Sequence, residues 1–129
     1  MPLNNSIAYG ISAILQIAQA GDDDPLSNKE LCKRVQMPEA YVLQILRKLR
    51  VAGLLKSTRG VQGGYNLARP LEEISVLDVC NALDMGMQWQ LREVQDYGNG
   101  DNKATDSILA SIASQVRTCL RELKLSELL

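Results

Sequence analysis

The chain has 129 residues, 46% of them hydrophobic, a formal net charge of −1 and no histidine. That length suits one domain with one modest core, and no window reaches the roughly 18 uninterrupted apolar residues of a membrane helix. The missing imidazole excludes Ser-His and Cys-His nucleophile pairs, and no carboxylate pair has an informative spacing, so an enzyme is not expected. Three cysteines set far apart, Cys32, Cys80 and Cys119, do not make a disulfide framework. The opening residues MPLNNSIAYG lack the pattern of a secretory leader, and the expectation is a cytoplasmic protein without membrane contact.

Ile7, Ile11, Ile14, Leu15 and Ala18 recur at helical spacing, which predicts a first helix from residue 4 to about 19, stopping near Gly21. Asp22, Asp23, Asp24 and Pro25 follow as a turn; without further carboxylates at chelating spacing the triplet reads as a solvated loop and not a metal site. Ser27 with Glu30 fits a capping box that opens a short second helix through Leu31 and Val35. Met37 and Pro38 interrupt it. From Pro38, a good first helical residue, the set Val42, Ile45, Leu46 and Leu49 marks the buried stripe of a third helix that ends before Gly53. Projected at 100° per residue, the opposite face carries Ala40, Gln44, Arg47 and Val51, with Tyr41, Leu43 and Lys48 on the flanks.

Two helices joined by a short turn, the second bearing small and amide side chains early and cations late, have the layout of a helix-turn-helix. Gln44 suits adenine through its amide, and Arg47 and Lys48 suit phosphates. The net charge conceals a strong asymmetry in this part of the chain. Residues 29 to 69 hold nine basic side chains (Lys29, Lys33, Arg34, Arg47, Lys48, Arg50, Lys56, Arg59 and Arg69) against two acids, Glu30 and Glu39. A one-signed block inside an otherwise acidic chain points to a polyanionic partner.

Leu54 to Thr58 and Tyr65 to Arg69 read as two short strands flanking a turn rich in glycine. Gly60, Gly63 and Gly64 permit positive φ and close approach, as a β-hairpin requires. The absence of a Gly-Lys-Ser/Thr end excludes a phosphate-cradling loop. A hairpin directly after a helix-turn-helix is a wing, and Arg59 at its tip is placed to enter a narrow minor groove. Ile74, Val76, Leu77, Val79, Cys80 and Leu83 then mark a fourth helix capped by Ser75, with Cys80 facing inward.

Residues 85–104 read as a polar loop with a minority of apolar side chains, Met85, Met87, Trp89 and Leu91. Trp89 either packs against the last helix or lines a small-molecule pocket. That last helix is expected from about Thr105 to Lys124, with the stripe Ile108, Leu109, Ile112, Val116, Cys119, Leu120 and Leu123. Three short helices and a hairpin offer too little surface to cover such a stripe, so a second copy is expected to cover it. The expected organisation is a winged helix-turn-helix over residues 1–84, an effector loop over 85–104, and a dimerisation helix with its tail over 105–129. The fold class is mostly α with a small β-hairpin.

The run AYVLQILRKLRVAGLLKSTRGVQGGYNLAR, residues 40 to 69, with Ile74 and Ser75 after it, resembles the signature of the Rrf-two family of bacterial winged-helix regulators, the IscR, NsrR and CymR type. Weaker similarity covers residues 1 to 84 and, by layout, the C-terminal helix. The resemblance implies a dimeric transcription regulator. In that family the residues matching Tyr41, Gln44 and their neighbours lie in the recognition helix, and the one matching Arg59 is a wing arginine entering the minor groove.

Two departures stand out. Family members often carry basic residues before the tyrosine matching Tyr9, where this chain has Ser6, Ile7 and Ala8. Sensing members also hold an iron–sulfur cluster on three closely spaced cysteines in the segment matching residues 84 to 104, which here contains none. The reading is therefore a homodimeric repressor of double-stranded DNA, binding a palindromic operator without cofactor or metal, its effector a small molecule or a protein. The alternatives are a winged-helix module that binds a protein partner after losing DNA contact, and a redox sensor using a thiol at Cys119 or a cluster bridging Cys80 and Cys119.

Overall fold

In the computed structural model, which describes residues 5–60, 63–83 and 103–129, the chain runs α1 (Asn5–Ala20), α2 (Asn28–Val35), α3 (Glu39–Val51), β1 (Leu55–Thr58), β2 (Gly64–Leu67), a 3-10 turn at Leu71–Glu73, α4 (Val76–Ala82), α5 (Lys103–Glu122) and a closing 3-10 turn at Leu125–Leu128. The expected first residue of helix one, residue 4, lies outside the described residues, as does the expected loop up to residue 102 with Met85, Met87, Trp89 and Leu91. Residues 103 and 104 belong to α5, which begins two positions before its expected start.

Caps set most of the boundaries. Ser27 Oγ accepts from the Glu30 N–H at 3.1 Å, but the expected reciprocal arm differs: the Glu30 carboxylate takes a hydrogen bond from Arg34 Nε, one turn on, at 3.1 Å. Gln36 stops α2 in the left-handed region at φ 53°, its N–H returning to Cys32 O at 2.9 Å. Pro38 sits at the N-cap of α3 with ψ 138°, so the helix opens at Glu39 and not at the proline. Asn28 Nδ2 donates to Glu39 Oε1 at 3.1 Å and ties the start of α2 to the start of α3. At the other end the Gly53 N–H bonds Arg50 O and the Leu54 N–H bonds Leu49 O, both at 3.0 Å. This paired closure turns the chain straight into β1 and drives Leu54 inside.

The predicted stripe of α3, Val42, Ile45, Leu46 and Leu49, is wholly buried and joins Ile14, Ile17, Leu31, Ile74 and Val79 in one apolar cluster. Burying side chains of this size contributes roughly 1.5–3 kcal/mol each. At Ser75 the capping box is complete, Ser75 Oγ accepting from the Asp78 N–H at 3.1 Å and Asp78 Oδ2 from the Ser75 N–H at 2.9 Å.

β1 and β2 pair antiparallel with Leu55 opposite Leu67 and Ser57 opposite Tyr65. A third segment joins them. Leu26 exchanges backbone hydrogen bonds with Tyr65 at 3.2 and 2.8 Å, and a Cβ on Gly64 would stand 2.5 Å from the Leu26 carbonyl. Gly64 is thus required by this approach, while Gly60, at φ 121°, serves the turn itself. A Cβ on Gly63 would likewise meet the Thr58 carbonyl.

The tail after α5 returns to the body. The Val76 N–H bonds Leu123 O at 2.9 Å and the Leu125 N–H bonds Ile74 O at 2.8 Å, pairing Lys124 with Ser75 in a short antiparallel bridge. Leu125 is fully buried by this lacing.

Candidate nucleic-acid interface

Ala40, Gln44, Arg47 and Val51 all stand exposed on one face of α3, opposite the buried stripe, as 3.6 residues per turn dictates. Lys48 is exposed on the flank. Leu43, also a flank residue, is 46% exposed, and Val51 is 75% exposed. Between this face and the end of α4 runs an open groove of about 510 Å³, lined by Gln44, Arg47, Lys48, Val51, Asn81 and Ala82. Asn81 escapes sequence reasoning because it belongs to a different helix.

Tyr41 is half-buried. Its hydroxyl is hydrogen-bonded to Ser6 Oγ and its ring meets Tyr9 edge to face, centroids 5.9 Å apart at 87°. Ser6 therefore ties the Tyr41 hydroxyl to α1.

Four arginines of the basic block fall into two groups. Arg34 pairs with Glu30, and Arg69 Nη2 lies 3.1 Å from Asp78 Oδ2 and also donates to the Glu73 carbonyl. Arg69 thus ties the end of the wing to the cap of α4. Arg47 and Arg59 are exposed, one on the outward face of α3 and the other just after β1 with Gly60 beside it. Gly63 and Gly64 are half-buried and brace the hairpin.

On α5 the stripe remains open along much of its length. Ile108 is 61% and Ile112 51% exposed, Cys119 and Leu123 are exposed, and Val116 is half-buried. Leu120, half-buried, packs against the core.

A family model described as Rrf2, iron-dependent transcriptional regulator, matches residues 3–129. The chain belongs to the Rrf2 family. It is 28% identical over 130 residues to the HTH-type transcriptional regulator IscR of Vibrio atlanticus, covering all of this chain and 75% of that one. Among solved structures, IscR of T. potens superposes with a TM-score of 0.78 at 30% identity, over 98% of this chain and 84% of that one. CymR of Staphylococcus aureus gives 0.77 at 26%, over 97% and 95%. This Rrf2 member is a DNA-binding transcriptional regulator with a winged helix-turn-helix fold.

The iron in the family's description calls for ligands. Cys80 is buried and its thiol is pushed up by that burial, which favours the protonated form over the thiolate a metal needs. Cys32 is half-buried in α2 and its thiol is raised by desolvation and then by the neighbouring Glu39. Cys119 is exposed on α5. Among the described residues no three Cys, Asp or Glu side chains gather closely enough to hold a metal ion. The donors among the described residues of one chain do not fit a cluster.

Proposed function

We propose that this regulator is a two-fold dimer joined through α5 (Ile108, Ile112, Val116, Cys119 and Leu120) and through Leu123 just beyond it, and that it occludes a palindromic operator as a repressor. One observation carries the reading: the outward face of α3 presents an amide and a cation, Gln44 and Arg47, while α5 leaves Ile108 and Ile112 uncovered. Gln44 reads adenine, Arg47 and Lys48 contact phosphates, and Arg59 enters the minor groove with the glycine turn allowing close approach. Two such helices reach major grooves about 34–36 Å apart, or a multiple of that, which makes the operator a palindrome.

Residues 1–84 bind DNA, 85–104 receive the signal and 105–129 dimerise, in the cytoplasm. The signal is a small molecule or a partner protein. No cluster of the three-cysteine type is involved, and no catalysis. The exposed Cys119 favours a thiol switch as the second reading.

The test is selection of bound DNA from a random pool, using protein purified without oxygen, followed by titration of variants at fixed salt. Arg59→Ala should weaken specific binding by about 1–3 kcal/mol and relax preference at an A·T-rich position, and Arg47→Ala should weaken all sequences alike. If both bind like the parent, the DNA contacts lie elsewhere and a protein-partner role takes their place. The protein should be colourless; visible absorbance lost in Cys80→Ala or Cys119→Ala would reinstate a cluster.

A further inference from the structure

Leu43 belongs neither to the apolar cluster nor to the assignment above. A single exposed leucine is ordinary on a protein surface, so its 46% exposure carries nothing alone. Its neighbours supply the argument. Leu43 adjoins Gln44, follows Ala40 by three positions and precedes Arg47 by four, and all three are exposed. It therefore stands on the same side of α3 as the amide and the cation.

Side chains on a helix lean toward its N-terminus. Leu43 accordingly lies over the turn occupied by Ala40, whose lone methyl leaves room for a base edge to approach. Against a phosphate or sugar, an isobutyl group would strip water from polar oxygens and return no hydrogen bond. A base edge in the major groove offers one apolar feature, the 5-methyl group of thymine.

We propose that Leu43 reads thymine through its 5-methyl group, at a base pair adjoining the one Gln44 reads. The inference rests on α3 being the reading helix and adds a specificity that the polar residues cannot supply. Cytosine at that position lacks the methyl, and each purine presents polar atoms to the leucine instead.

The experiment uses the full chain and the operator recovered by selection. Each thymine of a half-site is replaced in turn by deoxyuridine, which removes only the methyl, and affinity is measured at fixed salt. One position per half-site should weaken binding about threefold to fivefold, the size expected for one buried methyl group. In Leu43→Ala that penalty should vanish, and in Gln44→Ala it should persist. The inference is overturned if no deoxyuridine substitution changes the parent's affinity, or if the penalty survives in Leu43→Ala. If Gln44→Ala and Arg47→Ala also bind as the parent does, the reading of α3 falls with it. If they weaken binding while the uracil scan is flat, α3 reads DNA and Leu43 alone is misassigned. A flat scan decides without any variant, and if Leu43→Ala fails to fold, the scan is run on Leu43→Ser, in which the penalty should likewise vanish and its survival would overturn the inference.

Discussion

Val42, Ile45, Leu46 and Leu49 on α3 are all buried, whereas Ile108 and Ile112 on α5 stay more than half exposed although their stripe is as regular. The difference lies in what surrounds each helix. α3 is enclosed by α1, α2, α4 and β1, while α5 is joined to the body chiefly through α4 and through the tail that follows it. Periodicity therefore declares which face of a helix is apolar, and the rest of the chain decides whether that face is covered from within. Leu125, outside any long helix, is fully buried because the tail pairs with Ile74 and Val76.

The sharpest way to break this contrast is at its two extremes. Leu125→Ala should cost about 2–5 kcal/mol in urea unfolding at every protein concentration, as cavity formation in a core does. A cost near zero would mean the tail is not anchored. Ile112→Asp should barely alter the fold of a single chain. It should instead leave a monomer by light scattering at micromolar concentration, with a melting temperature that no longer rises with concentration as the parent's does. A parent that is already monomeric would make the exposed face of α5 an unpartnered surface.

A smaller effect tests the body's own long-range contacts. Gly64→Ala should destabilise by about 1–3 kcal/mol, the usual range for overpacking, because its methyl would press on the Leu26 carbonyl and part the Leu26–Tyr65 bridge. If this variant melts with the parent, the third segment is not held to the hairpin.

The smallest expected effect is in pH. Burial raises the Cys80 thiol above its ordinary value of 9.0, so above that pH the unfolded chain gives up a proton that the folded chain keeps. The contribution is complete below about pH 9 and is lost as pH rises toward the folded value. Cys80→Ala should therefore lose stability less steeply than the parent between about pH 8.5 and 10, measured by urea midpoints. Equal slopes would mean that Cys80 is open to solvent.

The helices and the cap at Ser75 were legible in the sequence because they rest on neighbours three or four positions apart, a spacing that repeats and can be counted, and the hairpin because its two short strands flank one turn rich in glycine. So was the outward set of Ala40, Gln44, Arg47 and Val51, since the buried stripe defines its opposite. Less legible were features with a plausible local reading that a distant contact replaced. Arg69 counted with the cations of the basic block but is engaged by Asp78 and the Glu73 carbonyl. Gly64 read as part of a turn but is required by Leu26.

By itself, then, the sequence determined the order of elements, the apolar face of each helix, the family and the chemistry offered on α3, all of them properties of local spacing or of a contiguous motif. Only the tertiary structure decided which side chains answer one another. Ser6 meets Tyr41 across 35 positions, and Asn66 reaches the Asp22 carbonyl across 44. The physical reason is that such a contact involves one residue on each side and leaves no period to detect, while its free energy depends on closing a loop that the rest of the fold must already hold shut.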